Sequence, residues 1–268
     1  MGKTFKQSGV LGVRLLGAAL LLVSLFNLSA PAHQPAPPES IIAHSLAASV
    51  QLHADREGGV RRWGSGVVLT RDGDRRTLIL TAAHLVLPAV SQIVHATTPG
   101  GGRSEAAIVA IDEKADLAVL AAENLAVTPI ALQDTGGLGE NVWVVSFPWG
   151  RRGTVVSGVV SQIAAEDADT SVPISGPVSL IDAAVSYGTS GGGVFDARTG
   201  LLVGIVRGYR TAKLSLPGAP PQSLDLPIAG ETTVISTVTI RCFLGRMALD
   251  DADKARLLGA APVVCADS

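Results

Sequence analysis

Ser190 is the residue of this chain best placed to act as a nucleophile. It lies in Gly188-Thr189-Ser190-Gly191-Gly192-Gly193, between Val185 and the apolar pair Val194-Phe195. Glycines on both sides permit a tight turn and let a carbonyl approach main-chain N–H groups closely. Attack through an oxyanion intermediate requires both. A hydroxyl nucleophile also needs a base to take its proton, and the base needs an acid to hold its tautomer. The histidines are His33, His44, His53, His84 and His95. His84 ends Leu78-Ile79-Leu80-Thr81-Ala82-Ala83-His84, an apolar strand running into two alanines that leave room around an imidazole. Asp116 stands immediately before the apolar run Leu117-Ala118-Val119-Leu120, where a carboxylate is desolvated and calls for a partner. Asp112, nearer a polar turn, and Asp182 are the alternatives.

Taken singly, each feature has an ordinary structural explanation: a glycine turn, a buried histidine at a strand end, a capping aspartate. Their order discriminates further. Gly188-x-Ser190-x-Gly192 also fits a strand–turn–helix nucleophile elbow, in which acid and histidine follow the serine. No histidine follows Ser190, which excludes that arrangement. His84, Asp116 and Ser190, separated by 32 and 74 residues, stand in the other known order, with base and acid ahead of the nucleophile.

Such residues must be carried on rigid elements. From Ile41 onward the chain alternates short apolar runs with glycine, proline and charge. Gly66–Thr70, the turn around Asp72-Gly73, and Thr77–Thr81 read as strand–turn–strand. Further runs lie at 106–111, 117–121, 142–146, 154–163, 178–184, 201–206 and 234–239, a spacing that predicts an all-β sandwich or pair of barrels. Ile41–Val50 reads as a short helix or strand, and 241–258 as one or two helical turns packed outside. The loop at 133–140 divides the fold into lobes of 41–133 and 134–249, with a tail at 250–268.

The 268 residues are 47% hydrophobic and 4% aromatic, enough for one large β domain or two small lobes. Lys3, Lys6 and Arg14, the apolar run Leu15–Leu28 and Ala30-Pro31-Ala32 read as a signal peptide over residues 1–32. If uncleaved, it would serve as a membrane anchor. His33–Ser40 is proline-rich and reads as a linker. Without residues 1–32, 18 basic residues face 23 acidic ones, and the Arg pairs are scattered, which argues against a nucleic-acid surface. Histidine and cysteine are too few and too dispersed for a metal-ligand set, and no cofactor is expected. In an oxidising compartment the lone pair Cys242 and Cys265 is expected to form a disulfide.

Thr81-Ala82-Ala83-His84, Asp116-Leu117-Ala118-Val119-Leu120 and Gly188-Thr189-Ser190-Gly191-Gly192 resemble the signature blocks of trypsin-like serine peptidases. Gly64-Ser65-Gly66-Val67-Val68, Ser146-Phe147-Pro148-Trp149-Gly150, the stretch 154–161 and Ile181-Asp182-Ala183-Ala184 are similar to the bacterial Deg/HtrA-type branch, with no PDZ domain expected among these residues. The resemblance covers about residues 45–245. It implies two six-stranded antiparallel β-barrels of the chymotrypsin type, with a short C-terminal helix and the site in the cleft between the barrels. It further implies an exported (periplasmic or secreted) serine endopeptidase acting on proteins or peptides. Ser190 would be nucleophile, His84 general base, and Asp116 its orienting acid, with Gly188 and Ser190 N–H groups as oxyanion hole. Gly204, Ile205, Val206 and Arg207 would pair with the substrate backbone, and Ala184 would form the base of the specificity pocket. Alanine there implies cleavage after small or medium apolar residues. Thr189 and Gly193 depart from the family pattern, and Gly193 is expected to loosen the loop. The rival reading is a catalytically silent module that binds a protein partner through the same cleft.

Overall fold

The computed structural model describes Gly2 and residues 38–55, 59–72, 76–164, 173–216, 222–248, 251–258 and 265. Contacts divide the chain after residue 35, and the barrels and helices all belong to the unit Ala36–Ser268. Apart from Gly2, the expected signal peptide lies outside the described residues, as do residues 33–37 of the expected linker. No described helix is long and apolar enough to cross a membrane.

The first helix, α1 (Pro38–Ala47), begins inside the stretch expected as linker. Pro38 stands at the first helical position, where a missing N–H costs nothing and its fixed φ suits the turn. Glu39 in the first turn favours the positive end of the helix.

The first barrel comes next. Its strands are β1 (Ser49–Asp55), β2 (Arg61–Asp72), β3 (Arg76–Ala82), β4 (Ile93–Thr97), β5 (Arg103–Asp112) and β6 (Leu117–Ala122), closed in the order β1-β2-β3-β6-β5-β4. The short helix α2 (Ala83–Val86) leaves the end of β3. After β7 (Gly136–Gly137) come β8 (Asn141–Ser146), a 3-10 turn at Pro148–Gly150, β9 (Thr154–Ile163), β10 (Ser175–Gly176), β11 (Val178–Asp182), β12 (Gly193–Asp196), β13 (Leu202–Leu216) and β14 (Gln222–Ser236). Six of these close a second barrel, β11-β14-β13-β12-β8-β9, while β7 and β10 pair apart. All strand pairs in both barrels are antiparallel. The expected two-barrel, all-β architecture is the observed one.

At the C-terminus the expectation of one short helix is corrected to two, α3 (Thr237–Arg246) and α4 (Asp251–Leu258). The run expected as strand through Thr239 stops at Ser236, whose hydroxyl accepts the Thr239 N–H at 3.3 Å and caps α3. The expected tail thus carries a packed helix: Leu257 is buried, and Asp253 meets Arg76 of the first barrel at 3.6 Å. A disulfide joins Cys242 of α3 to Cys265.

Three apolar clusters explain why the strands read as continuous apolar runs. The inward faces of the first barrel, including Leu52, Val68, Ile79 and Leu120, form one cluster, and Val144, Val160, Ile181 and Val194 form its counterpart in the second. The third lies between the barrels. There Leu78, Leu80, Leu117 and Val119 meet Val145, Phe195, Leu202 and Ile205, sealed by Ile240, Phe243, Leu244 and Leu257. Strands β3 and β6 are buried on both faces, so their sequences lose the alternation of a half-exposed strand. Each such large side chain stabilises the fold by about 1.5–3 kcal/mol when fully buried. The barrels are therefore held in one fixed relation, which a site spanning both requires.

Candidate active site

Strand pairing brings His84 and Asp116 together. Ala82 of β3 lies opposite Leu117 of β6, so the residues just beyond this pair, His84 on α2 and Asp116 in its turn, become neighbours. The His84 Nδ1 lies 2.9 Å from Asp116 Oδ2 and 3.1 Å from Oδ1, and the His84 N–H donates to Oδ1 at 2.9 Å. The Asp116 carbonyl accepts the Ala83 N–H at 3.0 Å. With a carboxylate facing Nδ1, that nitrogen carries the proton and the basic lone pair of the neutral ring sits on Nε2. Burial by itself would raise the Asp116 pKa. The hydrogen bonds from the His84 ring and N–H, with the charges of His84 and Arg207, outweigh burial and hold the carboxyl below its ordinary value. Arg207 Nε donates to Oδ2 at 3.3 Å, a contact the sequence did not announce.

The alternative acids are elsewhere. Asp112 pairs with Arg246 of α3 at 2.6 Å, and Asp182 is exposed beside Gly230. Of the other histidines, His53 stacks on His95 with ring centres 4.5 Å apart on the first barrel, and His44 is exposed on α1. His33 lies outside the described residues.

Ser190 sits on the turn between β11 and β12, and that turn is bonded at almost every peptide. Thr189 N–H donates to Ser186 O at 3.1 Å, and Gly192 N–H to Thr189 O at 2.8 Å. Gly191 N–H and Val206 N–H donate to Val206 O and Gly192 O respectively, each at 2.8 Å. Buried Thr189, a departure from the family pattern, closes the turn by accepting the Ser186 N–H on its hydroxyl at 3.3 Å. Gly191, at φ +79°, lies so close to the Ser65 carbonyl that a Cβ would come within 2.2 Å of it. Gly193 does not loosen the loop as expected. It pairs with Val145 and Ile205, and the Phe195 ring fills the space a Cβ would take.

The Tyr187 carbonyl accepts the Trp149 N–H at 2.9 Å. In a planar trans peptide the N–H points opposite the C=O, so the Gly188 N–H is directed away from the 3-10 turn. Among the described residues neither the Gly188 nor the Ser190 N–H donates to a protein acceptor. The Ser190 hydroxyl donates to Arg207 O at 3.3 Å.

His84, Gly188 and Ser190 line one cleft of about 190 Å³, together with Arg62 and Trp63 of the first barrel and Val185, Tyr187 and Tyr209 of the second. Ala184 is not among these lining residues; it is exposed, and its neighbour Val185 lines the cleft. The expected substrate-pairing strand shifts as well. Gly204 and Ile205 are paired on both edges, with β12 on one side and β14 on the other, leaving no backbone group for a ligand. Val206 has its N–H and C=O engaged by the serine turn, although it lines the cleft. β12 pairs with β13 only as far as Ile205, so the edge without a strand neighbour begins at Arg207 and continues through Gly208 and Tyr209. Sequence reading missed Ser65, Trp149, Val185, Gly208 and Tyr209; the only signal was that the first two fall in segments resembling the Deg/HtrA branch.

Comparison with known proteins agrees with this architecture. The family model described as trypsin-like peptidase domain matches residues 64–205. The mitochondrial serine protease HTRA2 of Bos taurus is 33% identical over 156 residues, 57% of this chain and 32% of that protein. A DegP-like periplasmic serine endoprotease of Bartonella henselae is 33% identical over 159 residues, 58% of this chain and 29% of that one. The chain thus spans about a third of the length of these relatives. The crystal structure of a serine endoprotease from Yersinia pestis superposes with a TM-score of 0.59 at 22% identity, covering 80% of this chain and 67% of that one. With the family match spanning more than half of the chain, this protein belongs to the trypsin-like peptidase family, and the relatives reported above are of the HtrA and DegP type.

Proposed function

We propose that the protein is an exported serine endopeptidase that cleaves peptide bonds through an acyl-enzyme on Ser190. One observation carries this reading: a histidine held by a carboxylate through both its ring Nδ1 and its N–H lines the same cleft as a glycine-flanked serine. Ser190 Oγ attacks the scissile carbonyl while His84 Nε2 takes its proton. The resulting oxyanion is received by the Gly188 and Ser190 N–H groups, each worth about 3 kcal/mol in sites of this kind. His84 then protonates the leaving amine, and water repeats the sequence on the ester. Asp116 stays ionised throughout, orienting the ring and stabilising the imidazolium.

Substrate would lie along Arg207–Tyr209 with its cleaved residue toward Val185. None of the described residues lining the cleft is acidic, so Lys or Arg finds no counter-charge there, and small or medium apolar residues are favoured. The basic N-terminus with its apolar run, the disulfide and the periplasmic relative support export to the periplasm or beyond. The membrane is involved only if the leader is retained. A fluorophosphonate is expected to label Ser190, and Ser190→Ala to abolish labelling and lower peptide turnover by about 10⁵- to 10⁶-fold. An unlabelled, inactive parent protein would favour the silent binding module. Faster cleavage after Arg than after Val or Leu in a peptide panel would remove the apolar preference alone.

A further inference from the structure

Ser65 belongs to the first barrel, yet its N–H and its hydroxyl are spent on the second, chiefly on the turn that carries Ser190. It is fully buried on β2. Its N–H donates to Ser190 O at 2.9 Å. Its Oγ lies 2.9 Å from both the Phe147 N–H and the Gly188 carbonyl. Its own carbonyl accepts the Thr81 hydroxyl at 2.7 Å. The direction of these bonds follows from donor inventory. Phe147 N–H can only donate, and a serine hydroxyl has one proton, so that proton goes to the Gly188 carbonyl.

Gly188 lacks the Cβ that normally restrains the peptides on either side, and its φ of +90° is available to glycine alone at low cost. Something else must hold those planes. Trp149 N–H holds the peptide before Gly188; the one after it is held at its carbonyl by Ser65 Oγ and at its N–H by Ser186 O. The second of these planes lies between the two N–H groups proposed to receive the oxyanion. We infer that Ser65 is a positioning residue for catalysis, whose side chain fixes the Gly188–Thr189 peptide and so keeps the oxyanion hole formed before substrate arrives. The inference rests on the proposed peptidase reading and deepens it.

The full chain with Ser65→Ala leaves the Phe147 N–H and the Gly188 carbonyl without their shared partner. Because misplacing one donor costs about 10²–10³ in kcat and Ser65 acts one bond further back, kcat per titrated active site is expected to fall about 10- to 100-fold. KM for a peptide ester should stay within about 3-fold, since ground-state binding does not use the hole. Affinity for a peptide boronate, which mimics the tetrahedral adduct, should fall in step with kcat/KM. Ser65→Cys keeps a weak donor and is expected to fall between parent and alanine variant; it supplies the comparison if the alanine variant does not fold. The inference is overturned if kcat per active site and boronate affinity stay within about 2-fold while only the melting temperature drops. A parent protein without turnover would defeat the peptidase reading, whereas an active parent with a fully active Ser65→Ala defeats this inference alone.

Discussion

At Gly188 the proposed chemistry depends on what is missing from a side chain. A Cβ there would come within 2.7 Å of Trp149 N and 3.1 Å of Phe147 O, both backbone atoms that cannot swing aside. Gly188→Ala must therefore displace the turn or the neighbouring Pro148-Trp149 backbone. Loss of one oxyanion donor is expected, with kcat lower by about 10²- to 10³-fold and KM nearly unchanged in steady-state peptide hydrolysis. An equal loss in KM alone would mean that Gly188 shapes substrate binding rather than the transition state. Asp116 shows the opposite device, a residue with a side chain held at φ +58°. Aspartate visits that region more readily than most residues, and the N–H groups of Ala83 and His84 clamp its carbonyl and carboxylate in place.

Among the elements, α3 and α4 supply stability and stand apart from the cleft. Arg241 Nη1 on α3 reaches the carbonyls of Leu257 and Leu258 at 3.3 and 2.9 Å, and the Cys242–Cys265 bridge closes a loop with a separation of 23 residues. In chain-entropy terms a bridge of that span is worth about 3 kcal/mol. The double substitution Cys242→Ser and Cys265→Ser should lower the melting temperature by on the order of 5–10 °C, followed by calorimetry. Peptide hydrolysis at 25 °C should be unaffected, because neither helix lines the cleft. A parallel loss of kcat would show that the C-terminal helices also set the barrel orientation.

At the scale of the whole molecule, each barrel contains a carboxylate tuned by its fold. Beside the first barrel, Asp116 is held below its ordinary value by its hydrogen bonds with His84. In the second, burial would raise Asp196, but the N–H groups of Thr199 and Arg198 and the Gln133 amide, with the Arg198 charge, hold it down. A carboxyl with a lowered folded-state pKa contributes stability that is fully present above the unfolded value of 3.8 and is lost as pH falls through the folded one. The contribution of these two carboxylates to the urea midpoint is therefore expected to be level above about pH 5 and to fall steadily below pH 4. Asp196→Asn should flatten that decline while lowering stability at pH 7. An unchanged acid slope in this variant would remove Asp196 from the account.

Sequence alone determined the fold class, because β-branched runs of strand length separated by turn residues have few ways to bury themselves. It also determined the order His84, Asp116, Ser190, and with no histidine after Ser190 that order left one arrangement in which these three residue types could cooperate. Tertiary structure decided what depends on occupied edges and facing surfaces. Whether Gly204 or Arg207 lies on an edge without a strand neighbour turns on where β12 stops beside β13, and no local pattern marks that point. Whether Ala184 or Val185 lines the cleft depends on how the chain leaves β11. Ser65, 123 residues before Gly188 along the chain in its hydrogen bond, reaches the serine turn only because a shared apolar core presses the two barrels together.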